Sequence, residues 1–360
     1  METHSRLTFC LYSWGANSYG QLGQSHVEDQ CVPRLSVLPC SALQGRTVRV
    51  VDGGGGHSVV LTESGEVFVC GQNDRGQLGL GHSTNVLTLQ LCPVLNHRVT
   101  NVACGWDFTL FLTDSGQLFA CGSNAFGQLG VGQTVTHSSE LLAVEVLKEP
   151  IVSVAAGLRH SLAVSASGSV YQWGTGLFNH AKRALSPHPV PSHLNSKLPC
   201  PVPGLGHRKA QLVTAGSAHC VCLTERGRVF TWGRGDYGQL GRSASVSENA
   251  EMLMGIRKDC IPLEVTSLYG ATQIVCGSEH NLAIVGGCLL SWGWNEHGMC
   301  GDGSQADVFR PRLVSDLRPV VIGCGAGHSM AVCGVTTSLT QNSVHTWEEV
   351  EHKQSSPFTE

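Results

Sequence analysis

Charge is what this sequence has least of. Across 360 residues, 23 Lys and Arg stand against 27 Asp and Glu, a charged fraction of 14% and a net charge of −4. No basic tail or stripe is present, so electrostatic capture of nucleic acid or of an anionic membrane is not expected. Aromatic residues make up 6%. No apolar run approaches the roughly 20 residues that span a bilayer. Met1 to Trp14 lacks a basic start followed by a long apolar core, so no signal peptide is expected, and no N-x-[ST] glycosylation acceptor occurs. There is no G-x-x-x-x-G-K-[ST], no H-E-x-x-H and no G-x-S-x-G. Phosphate-loop hydrolysis, zinc proteolysis and serine hydrolysis therefore have no motif to rest on.

Cysteine is not scarce, but its order is. The sixteen cysteines are scattered, with no C-x-x-C and one C-x-C, at Cys220 and Cys222. Cys70 and Cys121 occupy positions where sister segments carry Trp, as apolar packing residues do. A reduced intracellular setting fits better than a disulfide framework. The expectation is a cytoplasmic protein that also reaches the nucleus.

Glycine, at 44 residues, is abundant, and it is periodic. Ser291-Trp292-Gly293-Trp294-Asn295-Glu296-His297-Gly298-Met299-Cys300-Gly301 is one copy of a recurring unit. Other copies start at Ser13, Val69, Ala120 and Thr231, and a decayed one begins at Trp173-Gly174. The Trp-or-Cys positions 14, 70, 121, 173, 232 and 292 are separated by 56, 51, 52, 59 and 60 residues. A period in that range signifies stacked or radial copies of one supersecondary unit.

A second element precedes each turn: His57, His160, His219, His280 and His328 recur there, His160 after Arg159 and His280 after Glu279, while Trp106-Asp107-Phe108 stands in the corresponding place of another copy. A short apolar strand follows, then a Gly-containing hairpin such as Glu63-Ser64-Gly65, then a second strand ending at the Trp/Cys-Gly step. Three to four short antiparallel strands per repeat describe a propeller blade. The fold class expected is all-β, a β-propeller of about six blades spanning 1–334, with a disordered polar tail at 335–360. The chain opens with strand and turn and closes with the missing half, so its two ends are expected to complete one blade and remove the exposed edges. Two excursions interrupt the pattern. Residues 176–208, rich in Pro and His, should be an irregular surface loop, and 242–272 should be a long connection with a short helix near Glu248 to Gly255.

The pairing of Gly-x-x-His-Ser with Trp-Gly-x-Asn-x-x-Gly-Gln-Leu-Gly at this spacing resembles the regulator of chromosome condensation repeat family. Shorter Trp-Asp repeats and kelch repeats do not fit. The resemblance implies a propeller, with seven blades the family norm where six are counted here. It also implies a guanine nucleotide exchange factor for a small GTPase, cytoplasmic and nuclear, linked to secretion and to an exocyst component, and monomeric. Such a factor needs no catalytic acid, nucleophile, metal or cofactor. It binds the nucleotide-free GTPase more tightly than the loaded one, and linkage weakens nucleotide binding by the same factor. A non-catalytic propeller adaptor for a trafficking protein is the alternative, and a chromatin-binding propeller a third that lacks the basic tail.

The recurring His residues tempt a metal reading, but residues spread over six blades stand too far apart for one ion. The expected role is a strand-opening His bonded to its own blade's backbone. Gly233-Arg-Gly235-Asp-Tyr-Gly238 matches G-x-G-x-x-G, yet it is a blade turn rather than a dinucleotide loop. Asn17, Asn73, Asn124 and Asn295 should bridge their turns. Positions where the repeats differ are free to carry function: Trp106, Asp107, Arg159, His160, Glu279, His280, Trp294, Glu296 and His297 form the candidate partner-binding set. Exposed Trp and Arg anchor interfaces, and propeller loops would present them on one rim, unless the Trp side chains wedge between blades. Asp107 and Glu279 are the carboxylates proposed to compete for a GTPase lysine or magnesium.

Overall fold

The computed structural model describes residues 11–35, 47–93, 97–185, 189–205, 208–242, 252–253, 256–314 and 317–333. The expected tail at 335–360 lies outside them, as do 248–251 and 254–255 of the expected helix.

Five four-stranded antiparallel sheets follow one another along the chain. Blade 1 comprises Val48–Gly53, His57–Thr62, Val67–Gly71 and Val86–Leu91, and blade 2 Val99–Cys104, Phe108–Thr113, Leu118–Ser123 and His137–Ala143. Blade 3 comprises Ile151–Ala156, Ser161–Ser165, Val170–Trp173 and Cys200–Pro201. Blade 4 comprises Ala210–Ala215, His219–Thr224, Val229–Gly233 and Leu263–Glu264, and blade 5 Ala271–Cys276, His280–Val285, Cys288–Gly293 and Val308–Leu313. Two half-blades complete the architecture: Pro319–Cys324 with Ser329–Cys333 after blade 5, and Tyr12–Gly15 with Gln30–Leu35 before blade 1. Each half is its own two-stranded sheet, and among the described residues no ladder joins Ser329–Cys333 to Tyr12–Gly15.

The order of burial within a blade explains its sequence. Second strands are covered on both faces by neighbouring blades, so Phe108-Thr-Leu-Phe-Leu-Thr113 is buried at every position and reads as a continuous apolar run. Outer strands face solvent, and Val308–Leu313 buries little beyond Val308. Every first strand carries the same register shift against the second, at Val48/Val50, Val99/Asn101, Ile151/Ser153, Ala210/Leu212, Ala271/Gln273 and Pro319/Val321. Such an extra residue bends and twists the strand, here six times at one place in the repeat. First strands of successive blades touch one another and surround a central cavity of about 430 Å³.

The first excursion departs from expectation. It is not irregular: helices α1 (Phe178–Leu185) and α2 (Ser192–Asn195) occupy it, and Leu177, Ala181, Leu185 and Leu194 are buried in the core shared by blades 3 and 4. Apolar side chains spaced four apart on α1 put one face inward, a signal hidden by the surrounding prolines. In the second excursion a two-stranded hairpin, Met252–Leu253 against Ile256–Arg257, stands where a helix was expected. Leu263–Glu264 beyond it is the outer strand of blade 4.

Candidate partner-binding rim

The repeated motifs turn out to stitch one blade to the next. In blade 1 the His57 Nε2 lies 2.9 Å from Thr109 Oγ1 of blade 2, and that hydroxyl donates to Gln77 O at 2.7 Å. Because the threonine proton is committed to the carbonyl, the ring donates through Nε2–H. The arrangement recurs: His280 Nε2 meets Ser329 Oγ at 3.0 Å, and Ser329 donates to Met299 O. His219 Nε2 meets Asn281 Oδ1 at 2.8 Å while Asn281 Nδ2 donates to Gln239 O, and His160 Nε2 faces Cys220 Sγ at 3.3 Å. The expectation of a bond to the residue's own backbone is therefore corrected. The His does open its strand in blades 1, 4 and 5, but its ring reaches the neighbouring blade. The Nδ1 atoms of His57, His160, His219 and His280 are buried without a partner. Burial holds these rings neutral, with pKa values lowered to about 4 for His57, His219 and His280 and about 3 for His160.

The same turn carbonyl receives a second donor. Trp173 Nε1 donates to Gln128 O at 2.8 Å and Trp292 Nε1 to Gln239 O at 2.9 Å, with the Cys121 thiol on Gln77 O in the corresponding place. So the repeat residues Trp173, Trp232 and Trp292 wedge between blades, fully buried. The glycine three residues before each His is required by contact, since a Cβ on Gly54, Gly157, Gly216 or Gly277 would collide with that imidazole. The Asn of each turn bridges it as expected: Asn124 Nδ2 donates to Gly132 O and Val135 O at 2.8 and 2.7 Å, and its Oδ1 accepts from Leu129 N.

Loops joining first to second strands, and turns following third strands, emerge at the same edge of every blade. This rim carries the variable residues. Trp106 is 54% exposed and packs over Gly55. Asp107 is half-buried, accepts from Gln128 Nε2 at 3.3 Å and is raised in pKa by desolvation, which Ser123, Gln128, Arg159 and Arg75 oppose. Arg159 is exposed and lies 4.4 Å from the centre of the Phe126 ring. Three blades further on, Glu279 accepts from Gln239 Nε2 at 2.7 Å, faces Arg234 Nη1 at 4.0 Å and is likewise raised by desolvation. Exposed Glu296 and His297 flank Trp294, whose ring meets His297 edge-on at 5.6 Å.

Two candidates leave the surface. His160 and His280 are buried in the stitches and cannot touch a partner. The alignment of blade 2 also changes: Phe108, not Asp107, fills the His position, because Phe108 is the residue a Cβ on Gly105 would strike. Asp107 thereby falls level with Arg159 and Glu279. The structure brings Asp107 near Arg159, groups Glu279 with Arg234, and pairs Trp294 with His297, while the two acids stand on different blades. Sequence reasoning missed Asp52 in that cavity. Its signal was present: other blades carry Ala103, Ala155, Thr214, Val275 and Gly323 at the equivalent place.

Among the described residues no group of three or more metal-binding side chains clusters, and no helix is long and apolar enough to cross a membrane. Among the described residues, twelve cysteines take part in no disulfide.

Comparison with known proteins follows the same lines. The chain is 42% identical over 389 residues to the secretion-regulating guanine nucleotide exchange factor of Mus musculus, covering 90% of this chain and 83% of the relative. Ninety per cent of 360 residues is about 324, so about 65 of those 389 positions face a gap here, close to one repeat. The ultraviolet-B receptor UVR8 of Arabidopsis thaliana is 32% identical over 345 residues, covering 93% of this chain and 72% of the receptor. Human WBSCR16 has a similar structure, with a TM-score of 0.76 and 27% identity over 90% of this chain and 82% of that one. The RCC1-like domain matches residues 10–246, and the regulator of chromosome condensation (RCC1) repeat matches 226–284 and 286–332. By its repeats, its blades and these matches, the chain belongs to the RCC1 repeat family.

Proposed function

We propose that the chain is a guanine nucleotide exchange factor for a small GTPase in the control of secretion, acting from the rim that carries Trp106, Asp107, Arg159, Glu279 and Trp294. The observation that carries this reading is the 42% identity to an exchange factor across 90% of the chain. The propeller alone does not, since a light receptor is built from the same repeats and fold does not fix function. The rim chemistry agrees. Asp107 and Glu279 are carboxylates half out of water, each held by a glutamine amide and each facing an arginine, so their positions are set before a partner arrives. A carboxylate of that kind competes with nucleotide phosphate for a GTPase lysine, or with phosphate oxygens for magnesium. The factor then favours the nucleotide-free GTPase, and by linkage nucleotide affinity falls equally. Activity resides in the cytoplasm and nucleus, and an exocyst component is the further partner.

The test is release of fluorescent GDP from a panel of small GTPases, with wild type and with Asp107→Ala/Glu279→Ala. One GTPase should be accelerated, and the double variant should lose at least about tenfold of that acceleration, as truncating a buried interfacial charge does. Capture of a GTPase with no faster release would establish the adaptor instead. Acceleration untouched by the double variant would move the active surface elsewhere.

A further inference from the structure

The central cavity holds a carboxyl group that the ties between blades do not need. About 430 Å³ is enclosed by the first strands and the loops that follow them, with Asp52, Cys104, Val154, Thr214, Cys276 and Cys324 around it and Trp106 at the rim. Asp52 carries its single carboxyl group: every other lining residue is Gly, Ala, Val, Leu, Ser, Thr, Cys or Trp. Asp52 Oδ2 accepts from Cys104 N at 2.8 Å and Oδ1 from Gly53 N at 2.9 Å. The first of these ties blade 1 to the edge amide of blade 2. The same job is done elsewhere by neutral hydroxyls, with Thr214 Oγ1 accepting from Cys276 N at 3.2 Å and Ser153 Oγ from Val213 N at 3.3 Å. A hydroxyl would serve in blade 1 too. A carboxyl group instead sits half-buried where lost hydration raises its pKa and disfavours the charged form, and among the described residues no cation pairs with it. An unpaired charge removed from water is costly, and a cation bound beside it would favour the ionised form. Two backbone amides and the Cys104 thiol leave part of its roughly four acceptor positions open.

We propose that this cavity is a binding site for an organic cation, an ammonium or guanidinium group on an aliphatic stem, with Asp52 as its counter-ion. The walls select that class. A hard metal ion demands about six oxygen ligands, and here one carboxylate is set among thiols and apolar side chains. An aliphatic stem lies against Val102, Val154 and Val213, as the stems of Lys and Arg lie on apolar surface. The half-exposed face of Trp106 at the mouth attracts a cation on its way in. The thiols of Cys104 and Cys276 are themselves pushed up by burial, Cys276 beyond the usual thiol range, so they stay neutral and do not compete for the charge. The group comes either as a small free amine or as a Lys or Arg side chain of a partner polypeptide. Neither source depends on the exchange reading.

Calorimetric titration of the full chain, with no GTPase present, tests the assignment. The probes are N-acetyl-lysine methylamide, its ε-acetylated neutral counterpart, and a seven-residue Gly/Ser peptide with one central Lys. Asp52→Asn removes the charge and keeps an acceptor, and Asp52→Thr copies blade 4 in case the amide perturbs folding. The lysine derivative should bind saturably to wild type, shift Trp106 emission, and weaken at least about tenfold in both variants, as loss of a charge-assisted bond requires. The acetylated probe should not bind. Binding of the peptide as well assigns the site to a partner's side chain, and binding of the derivative alone assigns it to free amines. No saturable binding up to about 10 mM, a limit weaker than about −2.7 kcal/mol, or equal binding by the folded variants, overturns the proposal.

Discussion

Acid should dismantle this propeller, and the stitches set the pH at which it does so. Five histidines are buried and neutral: His57, His193, His219 and His280, with pKa values lowered to about 4, and His160, lowered to about 3. In each case loss of hydration disfavours the charged ring. In the unfolded chain these rings titrate near 6.5. Their folded values lie below the unfolded ones, so the unfolded chain takes up protons first as pH falls. The stability is complete above about pH 6.5 and is lost progressively as pH drops from there toward 4.

The size follows from the same values. Between pH 7 and 5.5 each histidine gives up about 1.2 kcal/mol, or about 6 kcal/mol for five, comparable to the whole stability of many domains. Asp52, Asp107 and Glu279 work in the opposite direction, since burial raises their folded pKa values and makes the folded state take protons. They offset part of the loss at the acid end. Urea unfolding at half-unit steps from pH 7.5 to 5 should give a slope near pH 5.5 equivalent to about four protons bound on unfolding. His219→Phe copies blade 2, where Phe108 fills the same position, and should lower that number by about one. A flat profile between pH 7 and 5.5, or fewer than about two protons linked, would refute the argument.

Two further substitutions probe the repeat itself. Gly216→Ala drives a methyl group into the His219 imidazole and toward Gly277 O of the next blade, and should cost about 3 kcal/mol or more. Gly270→Ala has open space around it and strains only its positive φ of 86°, so it should cost about 1 kcal/mol by the same urea assay. Asn124→Ala leaves Gly132 O, Val135 O and Leu129 N of a buried turn without their partner. It should lower stability by about 2–4 kcal/mol and leave the neighbouring Asp107 side of the rim locally mobile by hydrogen exchange.

Period and turn chemistry made the blades legible because they are local. A Trp-Gly step, a buried Asn and a positive-φ glycine each report on a few neighbouring residues, and they repeat. What could not be read was the partner of each side chain across a blade boundary. His57 and Thr109 are 52 residues apart, and nothing in either residue names the other. The register of blade 2 was lost for a related reason. A Phe in a His position keeps the packing against Gly105 and drops the hydrogen bond, so pattern matching on His passes it by. Residues 176–208 misled through composition: prolines interrupt a segment whose Leu177, Ala181 and Leu185 still sit on one buried face.

Blade number is the property these stitches leave most open. Several interfaces use a donor pair from one blade, such as Asn281 and Trp292, and one turn carbonyl of the blade before it, such as Gln239 O. Between blades 3 and 4, where that turn has decayed, Trp232 donates to the Gln172 side chain instead. No interface refers to a blade two places away, so any repeat can follow any other provided the turn ends in an accessible carbonyl. A chain whose match to its exchange-factor relative leaves about 65 positions facing gaps, close to one repeat, therefore keeps its interface chemistry. What must change is the angle between neighbouring blades, taken up at the first strands where each carries its bulge. The spacing of rim positions would shift accordingly: Asp107 stands on blade 2 and Glu279 on blade 5, with blades 3 and 4 between them along the chain. If the proposed exchange surface is right, blade count would act on partner choice through the spacing of the two acids, with no substitution at the rim.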